Sequence, residues 1–212
     1  MFDAHFRRVF GSSLEACGRV VARTGVSANL ISVGGLVLAV CAAVLIVFEF
    51  YFAGLVFILL SRFADGLDGP VARARGEDSS FGGYLDSVLD YGFYALVPLA
   101  FAVARPEENG VWAALLLASF LGTGSSFLAF AVIAEKHDLR TEAQGRKSFY
   151  YLHGLAEGGE TIVFFVLFCL FPGYFWLLAL IFSVICVVST VARIRYTWRL
   201  TAEIKENSSE AD

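Results

Sequence analysis

An all-α, polytopic membrane protein is the fold class this sequence predicts, on three observations. Of its 212 residues 58% are hydrophobic and 21 are Phe, against about 45–50% apolar residues in an ordinary soluble domain. The apolar residues gather into six stretches, near 30–48, 51–72, 82–104, 111–134, 156–171 and 174–192. Each approaches the roughly 20 residues a helix needs to cross hydrocarbon. When the six alternate in direction, almost every Lys and Arg falls on one side. The expectation is one membrane domain over residues 1–212, of six transmembrane helices with no soluble domain beside them.

Before the first span, Phe2, Phe6, Val9, Phe10 and Leu14 recur at helical spacing among Arg7, Arg8, Glu15 and Arg19. That pattern predicts a juxtamembrane amphipathic helix within residues 1–25, lying in the membrane interface. The first and second spans are separated at Glu49, and the third ends at Arg105-Pro106-Glu107-Glu108-Asn109-Gly110, a run rich in helix-ending residues. Gly34-Gly35 and the cluster Gly122, Gly124, Ser125 and Ser126 let neighbouring helices approach closely. Pro172-Gly173 separates the last two spans, and residues 206–212 read as a disordered acidic tail.

Orientation follows from charge. Arg7, Arg8, Arg19, Arg23, Arg73, Arg75, Lys136, Arg140, Arg146, Lys147, Arg193, Arg195, Arg199 and Lys205 share one side, and Arg105 falls on the other. The positive-inside rule therefore places both termini in the cytoplasm of a plasma, or inner, membrane protein. The net charge of −4 says little about partners, and no nucleic-acid partner is expected. Cys17, Cys41, Cys169 and Cys186 lack metal-ligand spacing and read as free thiols. His5, His137 and His153 read as solvated or interfacial.

The chemistry concentrates in four aspartates. Asp65 with Asp68, and Asp86 with Asp90, are three and four residues apart, so each pair shares a helix face. A carboxylate in mid-bilayer costs about 2.5–3.5 kcal/mol, so something cationic must answer four of them. Four converging carboxylates suit two hard divalent cations, Mg²⁺ or Mn²⁺, and the lack of paired His or Cys argues against zinc. Gly69, Pro70, Gly82 and Gly83 allow backbone to come close to a bulky ligand, and Arg73 is a bidentate phosphate donor. Two other readings of the acids are open: packing ion pairs with Arg62, Arg73 and Arg75, or the ion path of an ion or solute transporter, a non-catalytic use of bound metal.

The fixed positions Asp65, Asp68, Gly69, Ala72, Arg73, Gly82, Asp86 and Asp90 reproduce the signature of the CDP-alcohol phosphatidyltransferases, and the chain resembles that family over most of its length. The resemblance implies transfer of a phosphatidyl group from CDP-diacylglycerol to an alcohol acceptor with release of CMP, in phospholipid synthesis, by a homodimer. It implies that Asp65, Asp68 and Asp86 ligate two divalent ions, and that Asp90 completes the second metal site and serves as catalytic base. Gly69, Arg73 and Ser79 would contact the CDP moiety, with Ala72 and Gly82 leaving room for it. The family's Pro-Asn-x-x-Thr-like start to the first span is loose here, as Ala28-Asn29-Leu30-Ile31-Ser32, and assigns Asn29 to the nucleotide side. Glu157 and Glu160, three apart near the fifth span, are candidate acceptor-binding groups, as are Arg193 and Arg195. Each has an alternative reading, as an ion pair for the glutamates and as lipid-headgroup anchors for the arginines.

Overall fold

The computed structural model describes residues 2–137 and 158–209. Among them every regular element is helical: α1 (Phe2–Ala22), α2 (Ala28–Val47), α3 (Tyr51–Arg75), α4 (Ser80–Ala104), α5 (Pro106–Lys136), α6 (Gly158–Leu170), a 3₁₀ turn at Pro172–Tyr174 and α7 (Phe175–Ser209). Side chains of residues 2–10 lie outside the description, as do Arg140, Arg146, Lys147, His153 and Glu157 entirely.

Four helical stretches are long and apolar enough to cross a membrane: Ala28–Val47, Ser80–Ala104, Pro106–Lys136 and Pro172–Ala202. That is fewer than the six spans expected from the apolar stretches. Helix α3 has the length, with 25 residues, but it carries Arg62, Asp65, Asp68, Arg73 and Arg75, which dilute its apolar character. The described part of α6 has 13 residues. At its other end α7 continues to Ser209 and takes in Glu206 to Ser209 of the stretch expected to be tail. Extending a helix already formed costs little, whereas starting one is unfavourable.

The links are tight. Glu49, between α2 and α3, adopts φ 63°, and a Cβ on Gly54 would press on Ile46, so the two helices meet closely just past the turn. Gly76 ends α3 in the left-handed region at φ 66°, where a side chain would be strained. Ser27 and Ser79 cap α2 and α4, each side chain accepting the N–H three residues on. Glu49 and Arg105 close the end of the bundle opposite the aspartates. Arg105 Nη2 donates to Glu49 Oε2 at 2.7 Å, and this hydrogen bond holds the Glu49 carboxyl below its usual range and raises Arg105.

Between that end and the aspartates lies an aromatic core. Phe93, Phe101, Phe165, Phe168, Phe175 and Phe182 are fully buried. Phe101 stacks on Phe175 at 4.7 Å and Phe164 on Phe182 at 4.3 Å, joining α4, α6 and α7. Such pairs contribute about 0.5–1.5 kcal/mol beyond their buried area. Small residues let the helices close up elsewhere: Ala39, Ala42 and Ala43 of α2 are buried, and a Cβ on Gly124 of α5 would overlap the Tyr91 ring of α4. The reverse face is apolar too, with Val37, Val44, Leu59, Leu121, Val184 and Val188 exposed, as expected of helices that meet lipid.

Helix α1 docks on the aspartate end of α3. Gly18 is buried there, with no room for a Cβ beside Pro70, and Leu14 lies against Gly66. Across the same contact Glu15 pairs with Arg73. The free thiols expected from spacing are found: Cys169 and Cys186 are buried, Cys41 is partly so and Cys17 is exposed.

Candidate active site

Asp65 and Asp68 lie in the last three turns of α3, and Asp86 in the second turn of α4. The loop joining the helices is short, Gly76 to Ser79, so these turns must lie side by side. Asp65, Asp68 and Asp86 each offer a carboxylate oxygen, and the three oxygens lie within 4.8 Å of one another. All three residues are half-buried. An all-oxygen, all-carboxylate set of this size fits a hard divalent cation and is a poor match for zinc.

Asp68 is the most constrained of the three. Ser32 Oγ, from α2, donates to its Oδ2 at 2.6 Å, and the Gly69 N–H donates to its Oδ1 at 2.6 Å. Ser32 is itself buried and also donates to the Ala28 carbonyl, at 3.2 Å. In the sequence Ser32 only closes the loose Ala28-Asn29-Leu30-Ile31-Ser32 motif, which assigns it no role. Its signal was its place one turn beyond Ala28 on a helix whose small face meets α3 at Gly35.

Asp90 is not part of the three-carboxylate cluster. One helical turn past Asp86, it accepts a hydrogen bond from Arg62 Nη1 at 2.6 Å, and the same nitrogen lies 3.4 Å from Asp65 Oδ2. Of the three arginines considered as partners for the acids, Arg62 is thus the one the structure pairs with them. Arg73 pairs with Glu15, and Arg75 with Glu77.

Against the cluster opens a cavity of about 470 Å³ lined by Ala28, Asn29, Ser32, Asp68, Gly69, Ala72, Glu77, Asp78, Ser79, Ser80, Gly82, Gly83 and Asp86. Five of the six positions expected on the nucleotide side are here: Asn29, Gly69, Ala72, Ser79 and Gly82. Arg73, the sixth, lies just outside, its Nη1 close enough to Gly69 that a Cβ there would stand 3.2 Å away. The Gly82 N–H donates to Ser79 Oγ at 3.0 Å, so Ser79 is first a helix cap and only then a cavity wall. A Cβ on Gly82 would meet Ser79 Oγ at 3.3 Å and Asn29 Oδ1 at 3.5 Å; hydrogen in its place keeps the wall open. Glu77 and Asp78, at the rim, carried no signal beyond their place in the joining loop.

The described acceptor candidates, Glu160, Arg193 and Arg195, are not among the residues lining that cavity. Glu160 is half-buried at the start of α6. Arg193 is buried, and its Nη1 donates to the Thr123 carbonyl and to Ser126 Oγ, both at 2.8 Å, tying α7 to α5. Arg195 is exposed, and Glu157 lies outside the described residues.

The sequence model of the CDP-alcohol phosphatidyltransferase family matches residues 25–194. Inner membrane protein YnjF of Escherichia coli is 45% identical over 194 residues, 92% of this chain and 94% of that protein. A phosphatidylinositol phosphate synthase of Cutibacterium acnes is 30% identical over 145 residues, covering 66% of this chain and 68% of its own length. Among solved structures, the phosphatidylinositol phosphate synthase of Mycobacterium tuberculosis in complex with manganese and citrate aligns with a TM-score of 0.70. The match covers 87% of this chain and 88% of that one at 20% identity. The same enzyme with CDP-DAG bound aligns with a TM-score of 0.69, over 87% and 93%. At that identity the likeness is one of fold.

Proposed function

This chain belongs to the CDP-alcohol phosphatidyltransferases, and from that premise we propose that it transfers a phosphatidyl group from CDP-diacylglycerol to the hydroxyl of an alcohol acceptor, releasing CMP, in phospholipid synthesis. One observation carries the reading: of three carboxylates spaced for a divalent cation, two, Asp68 and Asp86, line a cavity whose wall is largely glycine, alanine and serine. A transporter would account for the buried acids but not for that wall.

In this reading Asp65, Asp68 and Asp86 hold the divalent cations, two of them, Mg²⁺ or Mn²⁺, with Asp90 as the further ligand of the second. Divalent ions held there would supply charge neutralisation of the diphosphate and polarisation of its phosphorus. Ser32 and the Gly69 N–H fix the direction in which Asp68 presents its oxygens. Asn29, Gly69, Ala72, Ser79 and Gly82 form the wall against which the CDP moiety lies, and Arg73, adjacent to Gly69, reaches its phosphates once Glu15 yields. Asp90 takes the proton from the acceptor hydroxyl as general base. Catalysis of this kind is chiefly positioning and charge stabilisation.

Acceptor contact is proposed for Glu160, Arg193 and Arg195, with Glu157 as the fourth candidate. Arg193 already commits one nitrogen to α5, which leaves exposed Arg195 better placed for an anionic acceptor. The proposed setting is an inner-membrane homodimer whose six helices α2 to α7 span the bilayer, with α1 in the interface and both termini and the active site cytoplasmic. The charge asymmetry of the sequence supports that orientation. The manganese and CDP-DAG complexes of the mycobacterial synthase support the metal and the donor.

The test is the reverse reaction. Membranes containing the protein, supplied with CMP and Mn²⁺, should consume phospholipid and regenerate CDP-diacylglycerol. Wild-type membranes that form none under conditions where a known family member does would refute the proposal.

A further inference from the structure

Arg62 is the cation that half-buried Asp65 and Asp90 face. It stands one turn before Asp65 on α3 with its side chain 11% exposed. Nη1 contacts Asp90 at 2.6 Å and Asp65 at 3.4 Å, and Nη2 lies 3.4 Å from Ser61 Oγ. Its guanidinium carbon sits 3.7 Å above the centre of the fully buried Phe93 ring. The Nε is buried with no hydrogen-bond partner among the described residues. A guanidinium in this position is held by the aromatic face and the carboxylates together, and it faces the one signature aspartate that the three-carboxylate cluster omits.

Resting on the metal reading above, we infer that Arg62 is a built-in counter-cation for Asp90 that makes the site load divalent ions in two unequal steps. The first ion goes to Asp65, Asp68 and Asp86, whose oxygens already converge. An ion that needs Asp90 must come up against a positive charge on the same carboxylate, and it binds well only as Arg62 gives that oxygen up. Arg62 is therefore a positioning residue: it is not part of the cavity wall, and it sets when Asp90 is available as ligand and base. No other side chain among the described residues answers Asp90 with an opposite charge.

The test is Mn²⁺ titration of the solubilised protein without nucleotide, with free Mn²⁺ followed by electron paramagnetic resonance. Wild type should bind one ion tightly and a second much more weakly. Arg62→Met, which removes the charge but keeps much of the length, should tighten the second ion by about tenfold or more. Arg62→Lys, which keeps the charge, should stay close to wild type. Two ions of equal affinity in wild type, or an Arg62→Met titration identical to wild type, would overturn the inference. Should Arg62→Met not fold, the wild-type stoichiometry and Arg62→Lys against Arg62→Gln decide it. Asp68→Asn separates the two levels. Loss of the tight ion in Asp68→Asn with no change in Arg62→Met sinks this inference alone, whereas undiminished binding in Asp68→Asn sinks the metal reading and this inference with it.

Discussion

Ser32 Oγ on α2 reaches across to Asp68 Oδ2 on α3 at 2.6 Å and so fixes one member of the three-carboxylate cluster from a helix that contributes none of the three. Partners of this kind typically contribute 10- to 100-fold to metal affinity or activity. Ser32→Ala should therefore raise the Mn²⁺ concentration needed for half-maximal activity by about tenfold or more, with maximal rate at saturating metal less affected. A metal dependence unchanged from wild type would show that Asp68 is oriented without Ser32.

Asp90 and Asp65 are predicted to fail differently. Asp90→Asn should abolish turnover while retaining more nucleotide binding than Asp65→Asn, because Asp90 is the proposed base and stands outside the three-carboxylate cluster. Binding of CDP or CMP beside turnover in both variants is the measurement. Wild-type activity in Asp90→Asn would remove it as the base.

Gly124 lies against Tyr91, where an added Cβ would approach ring carbon Cε1 to 2.6 Å. A ring in a packed interface cannot yield as a flexible chain end does. Gly124→Ala should destabilise the protein by about 1–3 kcal/mol, the usual cost of overpacking. Adding Tyr91→Ala should recover part of that loss, which thermal unfolding of the single and double variants will measure.

Glu49 and Arg105 offer a pH test at the opposite end of the bundle. The Glu49 carboxyl titrates below its usual value of 4.5 when folded. Its pairing therefore contributes fully above the unfolded-state value and is lost as pH falls through the lowered folded one. The pair is exposed, so the effect is small. Wild type should melt slightly above Glu49→Gln near neutral pH, and the two should converge in acid. A gap that persists unchanged to pH 3, well into the acid range, would mean that Glu49 stabilises by some means other than its charge.

The aspartate helices were legible because spacing along one helix is a sequence property. Asp65 with Asp68 requires only a helical turn, and Gly76 to Ser79 is too short to let α3 and α4 part, so three acids had to meet. Gly69 and Gly82 were legible as glycines that let backbone approach a ligand, whereas Asn29, Ala72 and Ser79 were picked out through the family resemblance alone. Ser32, Glu15 and the pairing of Arg62 with Asp90 were not, because each contact joins residues 28 to 58 positions apart and depends on how helices rotate against each other. Spans were hardest to judge where function and hydropathy conflict. The acids that make α3 chemically useful are also what make it read poorly as a membrane helix.

Every described residue lining the cavity lies between Ala28 and Asp86. None of the described residues after Asp86 contributes a group to that wall. The proposed donor wall is thus separable, among the described residues, from the helices that carry the proposed acceptor contacts. A chimaera crossing over just after Asp90 is the laboratory counterpart of that separation.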